Sequence, residues 1–206
     1  MSSSPSAPAA QGAVACDAPS LLARMQARTQ TAPRHLLEPG PDDAQQRQLF
    51  DAAATAPDHG RILPWRFVCI GQAARPRLAE AFEQALLERQ PAAGADERGR
   101  ARDKASNAPF LALAVVRGDG DGQEQIPPPE RLVSLGCALQ NMLLMAHAQG
   151  FGAGLVSGPA MGSRALRECF GLAAGERAVC FIAVGTPART RDPRERPPTE
   201  RFASEL

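Results

Sequence analysis

The segment NAPFLALAVVRG, residues 107–118, is the part of the sequence that best indicates the fold. It is apolar without the alternation typical of a strand with one solvent-exposed face, so we expect a strand covered on both faces. Two further apolar segments, WRFVCIG at 65–71 and AVCFIAVG at 178–185, have the β-branched and aromatic content of strands. Segments of helical periodicity lie between them, which predicts an α+β or α/β domain.

The longest predicted helix, about 130–149, begins after three prolines and ends at Gly150. Apolar side chains occupy most of its circumference, and such a helix is buried on most faces. We therefore expect it at the centre of the fold or at a subunit interface. Other helices are predicted near residue 20, after Asp42 or Asp43, over 73–90 and over 161–171.

Length and composition indicate one domain. The chain has 206 residues, 44% of them hydrophobic, and a formal net charge of +1, which gives no reason to expect a nucleic-acid or membrane partner. Residues 1–18 are rich in Ser, Ala and Pro and are predicted to be disordered, leaving a domain over 19–206. Its Arg- and Pro-rich end, from about 187, is either disordered or an arm lying on another subunit. Without a secretory leader or a long apolar run, a cytoplasmic protein is expected.

The segment ATAPDHGRILPWRF, residues 54–67, indicates a functional loop. A helix that ends at Pro57 delivers Asp58 and His59 into a short connection before the strand at Trp65. Backbone N–H groups in such a loop lack a partner within a helix or sheet. Two interpretations are open: the loop binds a planar heteroaromatic ligand, or Asp58 and His59 satisfy each other's hydrogen bonds.

Common catalytic patterns are absent from the sequence. There is no nucleophile elbow, no phosphate-binding P-loop and no His-Glu-x-x-His helix. Five cysteines without a Cys-x-x-Cys pair and three scattered histidines predict no metal site.

Four segments follow one another along the chain: APDHGRILPWRF at 56–67, DKASNAPF at 103–110, SLGCALQNMLLMAHAQGFGAG at 134–154 with Ser157-Gly158, and FIAVGTP at 181–187. Together, in this order, they resemble the small YdjA-like branch of the nitroreductase family. The resemblance implies an α+β three-layer sandwich, with a mostly antiparallel sheet flanked by helices, that forms a homodimer. It also implies an FMN-dependent oxidoreductase with flavin at the subunit interface. NAD(P)H would reduce the flavin in one half-reaction, and a nitroaromatic, quinone or similar acceptor would reoxidise it in the next. Because the flavin carries the redox chemistry, no catalytic side chain is assigned.

The resemblance assigns cofactor-binding positions as well. The family's Arg-Arg-Ser phosphate motif falls on Arg28-Thr29-Gln30, where Arg28 offers the planar fork that suits a phosphate. Thr29 and Gln30 depart from the pattern. His59 matches the histidine that the partner subunit brings to the flavin in this branch.

The second flavin-binding segment, Trp-Arg-Ser in relatives, reads Leu155-Val156-Ser157 here, so only the serine matches. The loss of an aromatic wall and a charge keeps an alternative open, a flavin-binding or cofactor-free homodimer without general reductase turnover. A specialised member that acts on its own substrate is a third interpretation, since fold analogy cannot choose among reactions. The lone lysine, Lys104, is not assigned to the site.

Overall fold

Residues 107–118 contribute the central strand of an antiparallel sheet in the computed structural model, which describes residues 17–118, 125–189 and 194–206. The five strands found in these ranges are β1 (Leu36–Leu37), β2 (Trp65–Cys69), β3 (Phe110–Arg117), β4 (Gly152–Val156) and β5 (Glu176–Pro187). Strand β3 lies between β2 and β5, and the long β5 also pairs with β1 and β4.

Helices cover both faces of this sheet. The helices of the described residues are α1 (Ala18–Ala27), α2 (Asp43–Ala54), α3 (Arg75–Arg89), α4 (Ala95–Asp103), α5 (Pro128–Ala148) and α6 (Arg164–Phe170). Helices α2 and α5 pack on one face, and α3 and α6 pack on the other. The predicted α+β fold with three layers is therefore confirmed.

Strand β3 shows why its sequence lacks alternation. Its even-numbered residues from Phe110 to Val116 belong to the core beneath α2 and α5, and its odd-numbered residues from Leu111 to Val115 to the core beneath α3 and α6. Each of these side chains is at most 5% exposed. Both faces must be apolar because each is removed from water.

Helix α5 has one buried and one open face. Its buried residues include Leu135, Leu139 and Met142 at helical spacing, and Ser134 accepts a hydrogen bond from the indole Nε1 of Trp65 at 3.0 Å. That bond ties the start of α5 to β2. The opposite face carries Val133, which is 67% exposed. The helix is thus central to the fold, and part of its apolar circumference stays uncovered in the single chain.

Helix α4 lies in a charged stretch for which the sequence predicted no element. Its first turn is capped because Glu97 accepts a hydrogen bond from the backbone N–H of Gly94 at 3.0 Å. Glu83 of α3 accepts from Arg98 at 2.6 Å and from Arg102 at 2.7 Å, which ties α4 to α3. Polar contacts rather than an apolar stripe hold this helix.

The predicted disordered segment falls almost entirely on residues 1–16, outside the described residues, and α1 begins at Ala18. The polar connection before α5 likewise has residues 119–124 outside them. In the arm, residues 194–206 are exposed. No helix in the described ranges has the length and apolar character that crossing a membrane requires.

Candidate functional site

The N-terminal segment after α1 lies along the outer edge of β4. The N–H of Thr31 donates to the carbonyl of Ala153 at 2.9 Å, and the Gln30 side chain donates to the carbonyl of Leu155 at 3.0 Å. A Cβ on Gly154 would lie 2.3 Å from the carbonyl oxygen of Thr31, so only glycine permits this approach. Two of the predicted cofactor-binding segments, separated by 125 residues at the Gln30–Leu155 contact, therefore lie side by side.

Arg28 lies just after α1 and lines a cavity of about 220 Å³ with Thr29, His147 and Arg189. Its Nη1 atom is buried and has no hydrogen-bond partner among the described residues. Burial lowers the pKa of the Arg28 guanidinium, and the positive charge of Arg196 lowers it further. Arg196 is fixed there by donating to the carbonyl of Arg28 at 2.8 Å. As no carboxylate is among the described residues lining the cavity, an anion bound there would offset both effects.

A second, larger cavity of about 580 Å³ opens at the other end of β4. Val156 and Ser157 line it, and the Ser157 hydroxyl donates to the carbonyl of Val179 at 2.9 Å. Lys104, which the sequence left unassigned, lines the same cavity. Its apolar wall is formed by Phe82, Leu86, Leu111 and Phe181.

Strand β4 connects the two cavities. Gly152 at its start lines the smaller one and Val156 at its end lines the larger. Four residues of extended strand separate these positions by roughly 13 Å. Leu155, between them, packs against the core beneath α2 and α5.

His59 lines neither of these cavities within the single chain. Its Nδ1 lies 2.7 Å from Oε2 of Glu130, at the start of α5, and its side chain is 68% exposed. Asp58 instead accepts from the backbone N–H groups of Ile62 at 3.2 Å and Leu63 at 2.8 Å. The interpretation that Asp58 and His59 bond each other is therefore wrong, because each has another partner.

Sequence reasoning missed two residues of these arrangements, Arg196 and Glu130. Arg196 lies in the arm, 168 residues from Arg28, and the arginine-rich composition of the arm was the available signal. Glu130 follows His59 by 71 residues, and no local pattern marks it as a partner. No group of three or more potential metal ligands occurs within the described ranges.

An antiparallel five-stranded sheet between two helical layers defines the chain as an α+β protein of nitroreductase-like fold. The sequence profile of the Nitroreductase family matches residues 27–186. The chain belongs to the nitroreductase family.

Curated relatives agree with this assignment. The chain is 37% identical over 154 residues to the "Putative NAD(P)H nitroreductase YdjA" of Escherichia coli K12, covering 74% of this chain and 81% of that protein. It is 30% identical over 158 residues to the "Putative NAD(P)H nitroreductase" of Haemophilus influenzae, covering 77% of this chain and 84% of the relative.

Solved structures share the fold. A nitroreductase-like family protein from Bacillus cereus superimposes with a TM-score of 0.78 at 19% identity, covering 96% of this chain and 99% of that one. A "putative nitroreductase in complex with fmn" from Desulfovibrio desulfuricans gives a TM-score of 0.66 at 24% identity, covering 93% of this chain and 99% of the other.

Proposed function

We propose that the protein is an FMN-dependent oxidoreductase that passes electrons from NAD(P)H to small acceptors such as nitroaromatics or quinones. The observation that carries this proposal is the buried Nη1 of Arg28, which has no hydrogen-bond partner among the described residues. Buried polar groups in native proteins are almost always paired, so an unpaired guanidinium nitrogen in a cavity indicates a missing anion. The FMN complex among the structural neighbours supports a flavin phosphate as that anion.

The residues along β4 fit the flavin in part. Arg28 supplies a guanidinium group at the phosphate end, and Thr29 and Arg189 line the same cavity. Gln30 plays a different role from the serine of the family motif, since its side chain is used to hold the carbonyl of Leu155. At the ring end, Ser157 donates to a backbone carbonyl, so its oxygen lone pairs stay available as acceptors.

Bound FMN would supply two-electron chemistry, taking a hydride from the nicotinamide and passing the electrons to the acceptor. Reducing a nitro group to a nitroso group consumes two electrons and two protons and releases water, and NAD(P)H together with one proton supplies them. The chain binds and orients these molecules.

The test of this proposal is spectroscopic. Protein purified and incubated with FMN should be yellow after removal of free flavin, and should release FMN on heat denaturation. Anaerobic addition of NADH or NADPH should then bleach the flavin absorbance. Protein that stays colourless in excess FMN would contradict cofactor binding, and yellow protein that neither donor bleaches would contradict the reductase.

The active unit proposed here is a homodimer. Among the exposed large apolar side chains of the described residues are five, each between 41% and 71% exposed, that lie on α1, α5 and the arm. They are Leu21, Leu22 and Met25 of α1, Val133 of α5 and Phe202 of the arm. Exposed apolar surface of this kind supports an interface. In a dimer these side chains would be covered, and the exposed imidazole of His59, with its Nδ1 beside Glu130, would reach the flavin of the partner subunit.

Mixing two variants tests this sharing of residues. Arg28→Met should weaken the site of its own chain, and His59→Ala the site of the partner subunit. A heterodimer of the two keeps one intact site, so refolding them together should restore about a quarter of wild-type activity per dimer. Restoration of activity supports His59 acting across the interface. No gain over the separate variants would assign His59 to its own chain or to packing.

A further inference from the structure

The larger cavity carries an excess of positive charge that flavin binding along β4 does not explain. Four cationic side chains lie around it: Arg34, Arg89 at the end of α3, Arg100 of α4, and Lys104. One carboxylate, Glu97, is found among the described residues lining this cavity.

Glu97 offsets one of these four positive charges. One of its oxygens accepts from the backbone N–H of Gly94 at 3.0 Å and the other from the side chain of Gln90 at 2.9 Å. These hydrogen bonds hold the pKa of Glu97 below its usual value, with a smaller contribution from Arg100. The carboxylate therefore caps α4. With four cationic side chains and one carboxylate around it, the cavity keeps a net positive charge.

Arg89 and Arg100 differ from Arg28 in how they are exposed. Both lie on the solvent side of the cavity, on helices α3 and α4, and neither belongs to the segments expected to contact the flavin. Their exposed side chains can meet a ligand that enters from solvent. The deeper wall of the cavity is apolar and includes Phe82, Leu111 and Phe181.

We infer that this cavity selects electron acceptors that combine a planar apolar body with an anionic group, such as aromatic carboxylates. The inference rests on the proposed function, since it names the substrate class for that site. The body would lie against the apolar wall, and the anionic group would point to Arg89 and Arg100. A cavity of about 580 Å³ suits a molecule of this size.

Two probes of nearly the same shape test the charge: 4-nitrobenzoate and its neutral amide, 4-nitrobenzamide. Either is reduced to the nitroso compound and water by NAD(P)H and one proton. The variants are Arg89→Gln and Arg100→Gln, and the matched control is Arg47→Gln, which removes an exposed arginine on α2, across the sheet. Binding is measured by calorimetry or flavin spectral perturbation, and kcat/KM by turnover of the FMN-loaded protein.

Each cavity variant should raise the Kd of 4-nitrobenzoate about fivefold and lower its kcat/KM about fivefold. The reason is the loss of one charge interaction that acts across several ångströms of partly screened solvent. For 4-nitrobenzamide, Kd and kcat/KM should change less than twofold in either cavity variant. In the Arg47→Gln control, both constants should change less than twofold for both probes. Comparing each probe with itself across variants removes the difference in their intrinsic reactivity.

Three results would overturn the inference: equal losses for both probes, equal losses in the Arg47→Gln control, or loss confined to NADPH in the reductive half-reaction. The last would assign the arginines to the donor's phosphate. Failure of the proposed function is detected by a different measurement, the uptake of FMN. If the protein takes up no FMN, calorimetry still compares the affinities of 4-nitrobenzoate and 4-nitrobenzamide, and equal affinities would refute the inference as well.

Discussion

Replacing Arg28 by methionine tests two effects separately: how much the unpaired, buried guanidinium nitrogen lowers the stability of the flavin-free chain, and how much the guanidinium contributes to FMN binding. In the ligand-free chain, Nη1 is buried without a partner among the described residues and Arg196 lies close by. A buried unsatisfied donor costs about 1–3 kcal/mol. Because Arg28 is only half-buried, we take the lower end, about 1 kcal/mol, reduced further by solvent screening. Methionine keeps the apolar stem, so the flavin-free variant should be as stable as wild type or up to about 1 kcal/mol more stable.

The same substitution should weaken FMN binding. A charge-assisted hydrogen bond to phosphate contributes about 1.5–3 kcal/mol, which corresponds to roughly a 10- to 100-fold rise in Kd. Flavin fluorescence measures Kd. Urea unfolding followed by tryptophan emission measures stability, because Trp65 is the only tryptophan and is 6% exposed when folded.

The control is Arg24→Met, one turn earlier on α1, where the arginine is exposed. It should leave both the free energy of unfolding and the FMN affinity near wild type. Destabilisation of flavin-free Arg28→Met by more than about 1 kcal/mol would show that Nη1 is satisfied, and the reasoning from an unpaired donor would fail. An unchanged FMN Kd would show that the phosphate binds elsewhere.

Three further substitutions test the framework of the site. Gly154→Ala puts a Cβ 2.3 Å from a backbone oxygen, so the free energy of unfolding should fall by roughly 1–3 kcal/mol and FMN should bind more weakly. In the control Gly136→Ala, where the new Cβ meets open space, the free energy of unfolding should stay the same or rise. Arg75 is 5% exposed and donates to five backbone carbonyls between residues 70 and 109. In urea unfolding, Arg75→Met should therefore lose about 3–5 kcal/mol of stability and Arg75→Lys less. Equal stability of the wild type and both variants would contradict this expectation. The two-pronged hydrogen bond from Arg66 holds the pKa of Glu176 below its usual 4.5, so its stabilisation is present above that pH and is lost as the pH falls through the lowered value. Thermal unfolding should show Glu176→Gln less stable by roughly 1–2 kcal/mol at neutral pH, and the gap should narrow in acid; a gap that is the same at pH 7 and in strong acid would refute the assignment.

Local sequence patterns predicted most of the elements. The apolar segment 107–118 became β3 (Phe110–Arg117), and the predicted helix at 73–90 became α3 (Arg75–Arg89). Periodicity suffices here because each residue's burial follows from its own place in the repeat. Helix α4 escaped prediction because it carries no apolar stripe and depends on Glu83 of the preceding helix.

For the candidate site as well, some features follow from local sequence and others from the tertiary structure alone. By itself the sequence determined which segments resemble cofactor-binding ones, including Arg28 and His59, and it determined the layered fold, because hydrophobic period and family motifs are properties of contiguous residues. Only the tertiary structure decided that Arg196 stands beside Arg28, that Glu130 holds His59, and that cations gather around the larger cavity. Polar partners come from anywhere along the folded chain, since a hydrogen bond or charge interaction depends on distance in space and leaves no period in the sequence.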